Sequence, residues 1–334
     1  MKQSDEGQLT QTVGDEAGRA DESRFFCAEL SRRAGERSTG TASTGAVWFL
    51  LEYPHGWGRK AFEESALPPE VKQFFNAALA RIRHSRLLFI KTDRGRRDAR
   101  MNLFVVRCRE RSPFAVRLRL EKYFDALSYD LAAIASGRDL QGGEVCPGPI
   151  FLVCTHGRRD KCCAKFGVPL YNALRDQAGE SVWQSSHIGG DRFAGNLVCF
   201  PHGLFYAHAT PEAGRRVVDA YRSGRVLAEE FRGRACYTHP IQAAEAFVRE
   251  ETGVAGVEDL HFISAHPEGA DSWRVRFEGR ADGRVHEAHV VRRASDFRNL
   301  ITCHASEPQS VPQFHLAALA VLPARDAPPE ENHG

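Results

Sequence analysis

The sequence predicts an α/β protein. Short, continuous apolar runs of strand length alternate with longer segments whose apolar residues recur at helical spacing. Turn residues, chiefly Pro and Gly, fall between them. At 334 residues the chain exceeds one typical small core, and more than one folded unit is expected.

The first block, 24–141, opens on the run Ala46-Val47-Trp48-Phe49-Leu50-Leu51-Glu52-Tyr53, suited to a buried central strand, and Pro54-His55-Gly56-Trp57-Gly58 breaks it. Pro68 and Pro69 start a helix whose Val71, Phe74, Phe75, Ala78, Leu79 and Ile82 make one apolar face. Leu87 to Ile90 is another buried strand, and Leu103 to Arg107 a third. From Val116 to Leu120, Val116, Leu118 and Leu120 alternate with Arg117 and Arg119, the period of a half-exposed strand. Leu127 to Ala135 is expected as a helix. Arg94, Arg96 and Arg97 read as a solvated loop.

Gly142-Gly143 and Pro147-Gly148-Pro149 mark a boundary, and a second block is expected over 146–236. Ile150 to Val153 is a buried strand. A helix runs from Cys163 through Leu170 and Leu174 to Ala178, and Ser181 to Ser185 is a short strand. Two strands flank the turn Pro201-His202-Gly203, and Pro211 starts a helix reaching Gly224. The resulting order, strand–helix–strand–strand–strand–helix, is that of a thioredoxin-like half. The first block shows a similar order, that of a related α/β unit, although no clear residue-level repeat accompanies it. A third block, 240–322, reads as a helix followed by three antiparallel strands (Leu260 to Ser264, Trp273 to Glu278, Val285 to Val291), an α+β meander with a turn at Ala281-Asp282-Gly283. Polar tails are expected over 1–23 and 323–334.

Composition excludes several classes. Hydrophobic residues make up 42% and charged residues 26%, with 45 basic against 43 acidic residues and a net charge of +2, so nucleic acid is not an expected partner. No apolar run approaches the ~18 residues of a membrane helix, and no membrane association is expected. The polar, acidic start lacks the apolar region of a secretory signal, making the cytoplasm the expected location. No nucleotide-binding glycine fingerprint, phosphate loop or recognisable glycosidase carboxylate pair is present.

The nine cysteines are unevenly spread. Cys154, Cys162 and Cys163 fall within ten positions, in Cys154-Thr155-His156-Gly157-Arg158-Arg159-Asp160-Lys161-Cys162-Cys163. Cys154 ends a strand and Cys163 opens a helix, where the helix terminus favours a thiolate. His187-Ile188-Gly189-Gly190-Asp191 follows the next strand, its glycines allowing close approach or positive φ. Two such loops at one end of a sheet bring thiol, imidazole and carboxylate donors together around a metal. Cys27, Cys108 and Cys199 read as buried structural thiols, Trp48, Trp57 and Trp183 as core.

These motifs resemble the sucrase/ferredoxin-like family, which carries a thioredoxin-like ferredoxin domain. The resemblance rests on Cys154-Thr155-His156-Gly157 with Asp160 and Cys163, on His187-Ile188-Gly189-Gly190 with Arg192-Phe193-Ala194-Gly195-Asn196, on Pro201-His202-Gly203, and on Trp48 to Gly58. It covers roughly 41–238 and implies a [2Fe–2S] cluster on two Cys and two His, with Cys154, Cys163 and His187 as three ligands. The best-understood members carry a second His where this chain has Asp191. Asp191 is the first candidate for the fourth ligand, Cys162 the second, with Cys199, His156 and His202 behind them. The function so implied is electron transfer with a redox partner protein. The donors also admit a zinc-stabilised structural protein, and the fold a thiol–disulfide oxidoreductase, although Cys-x-x-Cys is absent.

Overall fold

The computed structural model describes residues 25–93, 100–138 and 142–324. The expected N-terminal tail, all but two residues of the C-terminal tail, and the arginine loop at Arg94, Arg96 and Arg97 lie outside the described residues.

A short helix, α1 (Cys27–Arg33), precedes the first strand, β1 (Val47–Glu52). Helix α2 (Pro69–Arg81) begins on proline, whose fixed φ and missing N–H suit a first turn. It crosses to β2 (Ser85–Lys91), parallel to β1, while β3 (Met101–Arg107) and β4 (Phe114–Leu120) return antiparallel on the other side. Helix α3 (Leu131–Ser136) and the short β5 (Glu144–Val145) complete the block. The second block repeats the order: β6 (Ile150–Cys154), α4 (Lys161–Ala178), β7 (Val182–Ser185), β8 (Leu197–Phe200), β9 (Leu204–Tyr206), α5 (Pro211–Arg222) and β10 (Phe231–Arg234).

Both blocks place their first strand between a parallel second strand and an antiparallel third, so β2-β1-β3-β4-β5 matches β7-β6-β8-β9-β10. The similarity of order between the blocks therefore extends to their topology. The halves join through β2 and β7, antiparallel at Ile90 with Ser185 and Lys91 with Gln184, into one ten-stranded sheet.

That sheet bends back on itself. Trp48 on β1 packs against Phe200 on β8 and Phe205 on β9 (ring centroids 5.6 and 5.9 Å), although three strands separate β1 from β8 in the sheet. One continuous apolar face is thereby turned inward, joining Leu50, Phe104, Leu152, Cys154 and Val198 in one core. The opposite face carries α2 in the first half, and α4 and α5 in the second. Trp48, Trp57 and Trp183 are all buried, as core residues should be; the Trp48 indole N–H donates to the Gly45 carbonyl at 3.0 Å.

Two expectations required correction. The helix expected over 127–135 is split. A 3-10 turn, Tyr123–Ser128, ends before Asp130, whose carboxylate accepts from the N–H groups of Ala132 and Ala133 and starts α3 afresh. A capping aspartate competes with the continuous helix that apolar spacing alone suggests. The meander has four strands rather than three. Helix α6 (His239–Thr252) leads to β11 (Leu260–Gly269), β12 (Ser272–Gly279), β13 (Val285–Asn299) and β14 (Gln309–Leu322), in that spatial order. Strand β14 is obscured in the sequence by Pro312, which an edge strand tolerates and a central one does not. Strand β13 runs eight residues beyond Val291, so the β13–β14 turn projects from the meander.

Candidate metal centre

The N-terminal turn of α4 begins earlier than expected. The Asp160 carboxylate accepts the Cys162 N–H at 2.9 Å and caps the helix, making Lys161 its first residue. Cys163 therefore lies within the first turn. One turn further on, Gly167 faces the end of β6, and a Cβ there would collide with the Cys154 carbonyl. The missing side chain lets α4 lie directly on the strand, with Cys163 beside Cys154.

The second loop is held from several sides. Ser186 pairs with Phe89, its N–H donating to the Phe89 carbonyl at 2.8 Å and its hydroxyl accepting the Phe89 N–H at 3.0 Å. The His187 N–H donates to His156 Nδ1 at 3.2 Å, and His156 Nε2 lies 2.7 Å from the Gly58 carbonyl. An imidazole that accepts at Nδ1 and donates at Nε2 is neutral; burial holds the His156 pKa below its ordinary value, in agreement. His156 thus braces the His187 loop against the segment around Trp57.

Gly189 and Gly190 both have positive φ (91° and 82°), and a Cβ on Gly190 would meet the Arg232 guanidinium at 2.6 Å. Arg232, buried within the sheet, donates to the Gly189 carbonyl at 3.2 Å, the Asn196 side-chain oxygen at 2.7 Å and the Thr41 carbonyl at 2.6 Å. The Asn196 amide donates to the Gly190 carbonyl at 2.7 Å, and the Ser43 hydroxyl to the Ile188 carbonyl at 2.6 Å.

The loops converge. A ligand atom from each of Cys154, Cys163 and His187 lies within 4.8 Å of the other two. Cys163 Sγ is 4.0 Å from His187 Nδ1 and 3.6 Å from Asp191 Oδ1, and His187 Nδ1 is 3.1 Å from that oxygen. Cys154, Cys163 and Asp191 are buried, whereas the His187 side chain keeps 21% of its surface exposed. Hydrogen bonding from Cys163, opposed by burial and aided by His187, holds the Cys154 thiol well below its usual range. Its neighbour Cys163 is pushed up, chiefly by that same bond. Burial opposes a charge on His187, but hydrogen bonding to Cys154 and the charges of Cys154 and Asp191 outweigh it, and its pKa rises. Burial raises the pKa of Asp191. Among the four groups, the ionised form is favoured on the Cys154 thiol and disfavoured on Cys163. A cation at their centre could hold all of these groups deprotonated.

The other candidates lie elsewhere. Successive helix residues point about 100° apart, and the Cys162 sulfur turns away from Cys163. It lies 3.5 Å from the Cys27 sulfur and 3.3 Å from that of Cys303. Cys199 sits on the helix-covered side of the sheet, opposite Cys154. His202 bonds the Tyr221 hydroxyl at 2.6 Å in its turn. Cys27 is buried as expected, but it belongs to a second group, with Asp160, Cys162 and Cys303, that sequence spacing did not reveal. A separate cleft of about 880 Å³, lined by Arg117, Glu144, Arg175 and Trp183 among others, includes none of these donors.

The fold and this site define an α/β protein with a largely buried group of Cys, His and Asp side chains that could hold a metal. The chain belongs to the sucrase/ferredoxin-like family, whose model matches residues 38–233. It is similar to the curated protein "Altered inheritance of mitochondria protein 32" from three yeasts. Identity is 31% over 96 residues with the Meyerozyma guilliermondii protein, covering 25% of this chain and 34% of the relative. With the Debaryomyces hansenii protein it is 33% over 95 residues (25% and 35%), and with that of Eremothecium gossypii 34% over 107 residues (28% and 32%). The matches span about a third of those relatives' length. No solved structure matches. Among the described residues, no helix is long and apolar enough to cross a membrane.

Proposed function

We propose that this chain is an iron–sulfur electron-transfer protein of the cytoplasm, holding a [2Fe–2S] cluster on Cys154, Cys163, His187 and Asp191 and serving a redox partner protein. The observation that carries this reading is the meeting of the Cys163 thiol and the His187 ring from separate loops. The donor types fit: thiolate and imidazole are established ligands of two-iron clusters, and imidazole favours a higher potential than thiolate. Asp191 is the harder donor of the set, and its carboxylate reaches both Cys163 and His187. When bound, the cluster supplies one-electron chemistry. The chain's own residues exclude water around the sulfurs, hold the loops rigid, and leave His187 as the partly exposed member of the group. That imidazole marks the side from which a partner can approach and a proton can be exchanged.

The test is iron and acid-labile sulfide analysis of anaerobically purified protein, with electron paramagnetic resonance after reduction. Two irons and two sulfides per chain, lost together in Cys154→Ser and His187→Ala, support the reading. A colourless protein from iron-replete cells overturns it. The compactness of Cys154, Cys163 and His187, all within 4.8 Å, favours a second reading, a single structural zinc; zinc without iron at this site would establish it.

A further inference from the structure

We propose that Cys27, Cys162, Cys303 and Asp160 form a second metal site, a tetrahedral site for one zinc ion that fastens α1 and the β13–β14 turn to the helix bearing Cys163. The three sulfurs form a near-regular triangle: Cys27 to Cys162 is 3.5 Å, Cys162 to Cys303 is 3.3 Å, and Cys303 to Cys27 is 3.6 Å. Both Asp160 carboxylate oxygens lie 3.9 Å from the Cys27 sulfur. A zinc–sulfur bond of about 2.3 Å and tetrahedral angles place thiolate sulfurs about 3.8 Å apart. The triangle is therefore close to, and slightly tighter than, the size that one ion requires. A multinuclear cluster presents a separate coordination point to each ligand or ligand pair and would hold the sulfurs farther apart. Three thiolates with one carboxylate select a borderline-soft cation such as zinc over calcium or magnesium.

The surroundings suit anionic sulfur. The Ala28 N–H points at Cys162 Sγ (3.4 Å) and the Cys27 N–H at Cys303 Sγ (3.5 Å). The N–H groups of Cys162 and Cys303 donate to the two Asp160 oxygens at 2.9 and 2.7 Å, orienting the carboxylate while leaving each oxygen further lone pairs. Cys27, Cys162 and Asp160 are buried and Cys303 half-buried; all three cysteines are free thiols. A disulfide between two of them would leave the third sulfur and the carboxylate without a role. One ion uses all four.

The donors come from three remote segments. Cys27 opens α1, Asp160 and Cys162 belong to the start of α4, and Cys303 lies in the projecting β13–β14 turn, 276 residues from Cys27. Asn299 donates to the Leu30 carbonyl at 3.3 Å beside the site, and His304 Nε2 lies 3.2 Å from the Arg159 carbonyl. Cys162 and Cys163 are consecutive yet face different groups, so an ion here stiffens the turn that presents Cys163. The proposal does not depend on what Cys163 binds.

The experiment is elemental analysis of the full-length chain, expressed with iron and zinc replete, as wild type and as Cys27→Ser, Cys303→Ser, Cys303→His and Cys154→Ser. Wild type is expected to carry one zinc per chain that Cys27→Ser and Cys303→Ser lose with iron content unchanged. Cys303→His, which restores a ligand, retains it, and Cys154→Ser also retains it. Cobalt-substituted wild type should show thiolate-to-metal charge transfer that Cys303→Ser weakens. Circular dichroism verifies that each variant is folded. Zinc unchanged in a folded Cys303→Ser protein, or wild type without zinc whose Cys27, Cys162 and Cys303 are all alkylated or disulfide-linked, overturns the proposal. Wild type that carries this zinc but no iron would refute only the reading of the first group.

Discussion

The Arg232 guanidinium lies 2.7 Å from the Asn196 side-chain oxygen inside the sheet, and together they hold the backbone of Gly189 and Gly190. A charge buried this deeply has its pKa pulled down to about 9, burial being the main cause, yet the cation stays protonated at neutral pH. Its role is to fix the loop from which His187 and Asp191 project.

Disturbing this clamp should loosen the site before it unfolds the sheet. Gly190→Ala forces a side chain into positive φ and against the guanidinium, at a cost of about 1–3 kcal/mol. The expected outcome is a lower urea midpoint together with reduced metal content. Arg232→Met should do the same by leaving the Thr41 and Gly189 carbonyls without their donor. Full metal loading in both variants would show that the loop does not need the clamp.

Gly167→Ala tests the contact between helix and strand. Its Cβ would collide with the Cys154 carbonyl, so α4 must shift and carry Cys163 with it. Overpacking of this kind costs about 1–3 kcal/mol. Metal binding should weaken by more than the stability loss alone explains, as measured by competition with a chelator.

Two histidines, the buried His208 and the half-buried His202, make stability depend on acid. Burial, with the charge of Arg32, lowers His208 to about 3, and burial with the charge of Arg234 lowers His202 to about 4. Both folded-state values lie below the unfolded one, about 6.5, so in this window the unfolded chain binds more protons. Their contribution is complete above about pH 6.5 and is lost as pH falls, by about 1.4 kcal/mol per unit for each histidine, until the folded value is reached. Denaturation of wild type and His208→Gln at pH 7 and pH 5 checks the sign. The destabilisation on acidification should be smaller in the variant.

Asp191 sets the charge of the proposed cluster. Asp191→His replaces an anion with a neutral donor, and the midpoint potential should rise relative to wild type while iron content is kept. Asp191→Ala should lower iron content. Potentiometric titration followed by electron paramagnetic resonance reads both, and a potential unmoved by Asp191→His would remove Asp191 from the ligand set.

The alternating and continuous apolar runs, the proline helix starts and the Gly-Pro boundary made most strands and helices of the large sheet legible in the sequence. So were Cys154, Cys163 and His187, because each sits at the end of an element whose type local periodicity reveals. What adjacency in sequence could not convey was direction: Cys162 and Cys163 are neighbours, yet helical rotation sends their sulfurs to different groups. Nor could any local pattern place Cys27 beside Cys303, since no period extends over such a separation. The sequence by itself determined the elements and the chemical types of the donors. The joining of β2 to β7, the curling of the sheet and the reach of the β13–β14 turn determined which donors meet, because those contacts depend on packing between segments that carry no record of one another.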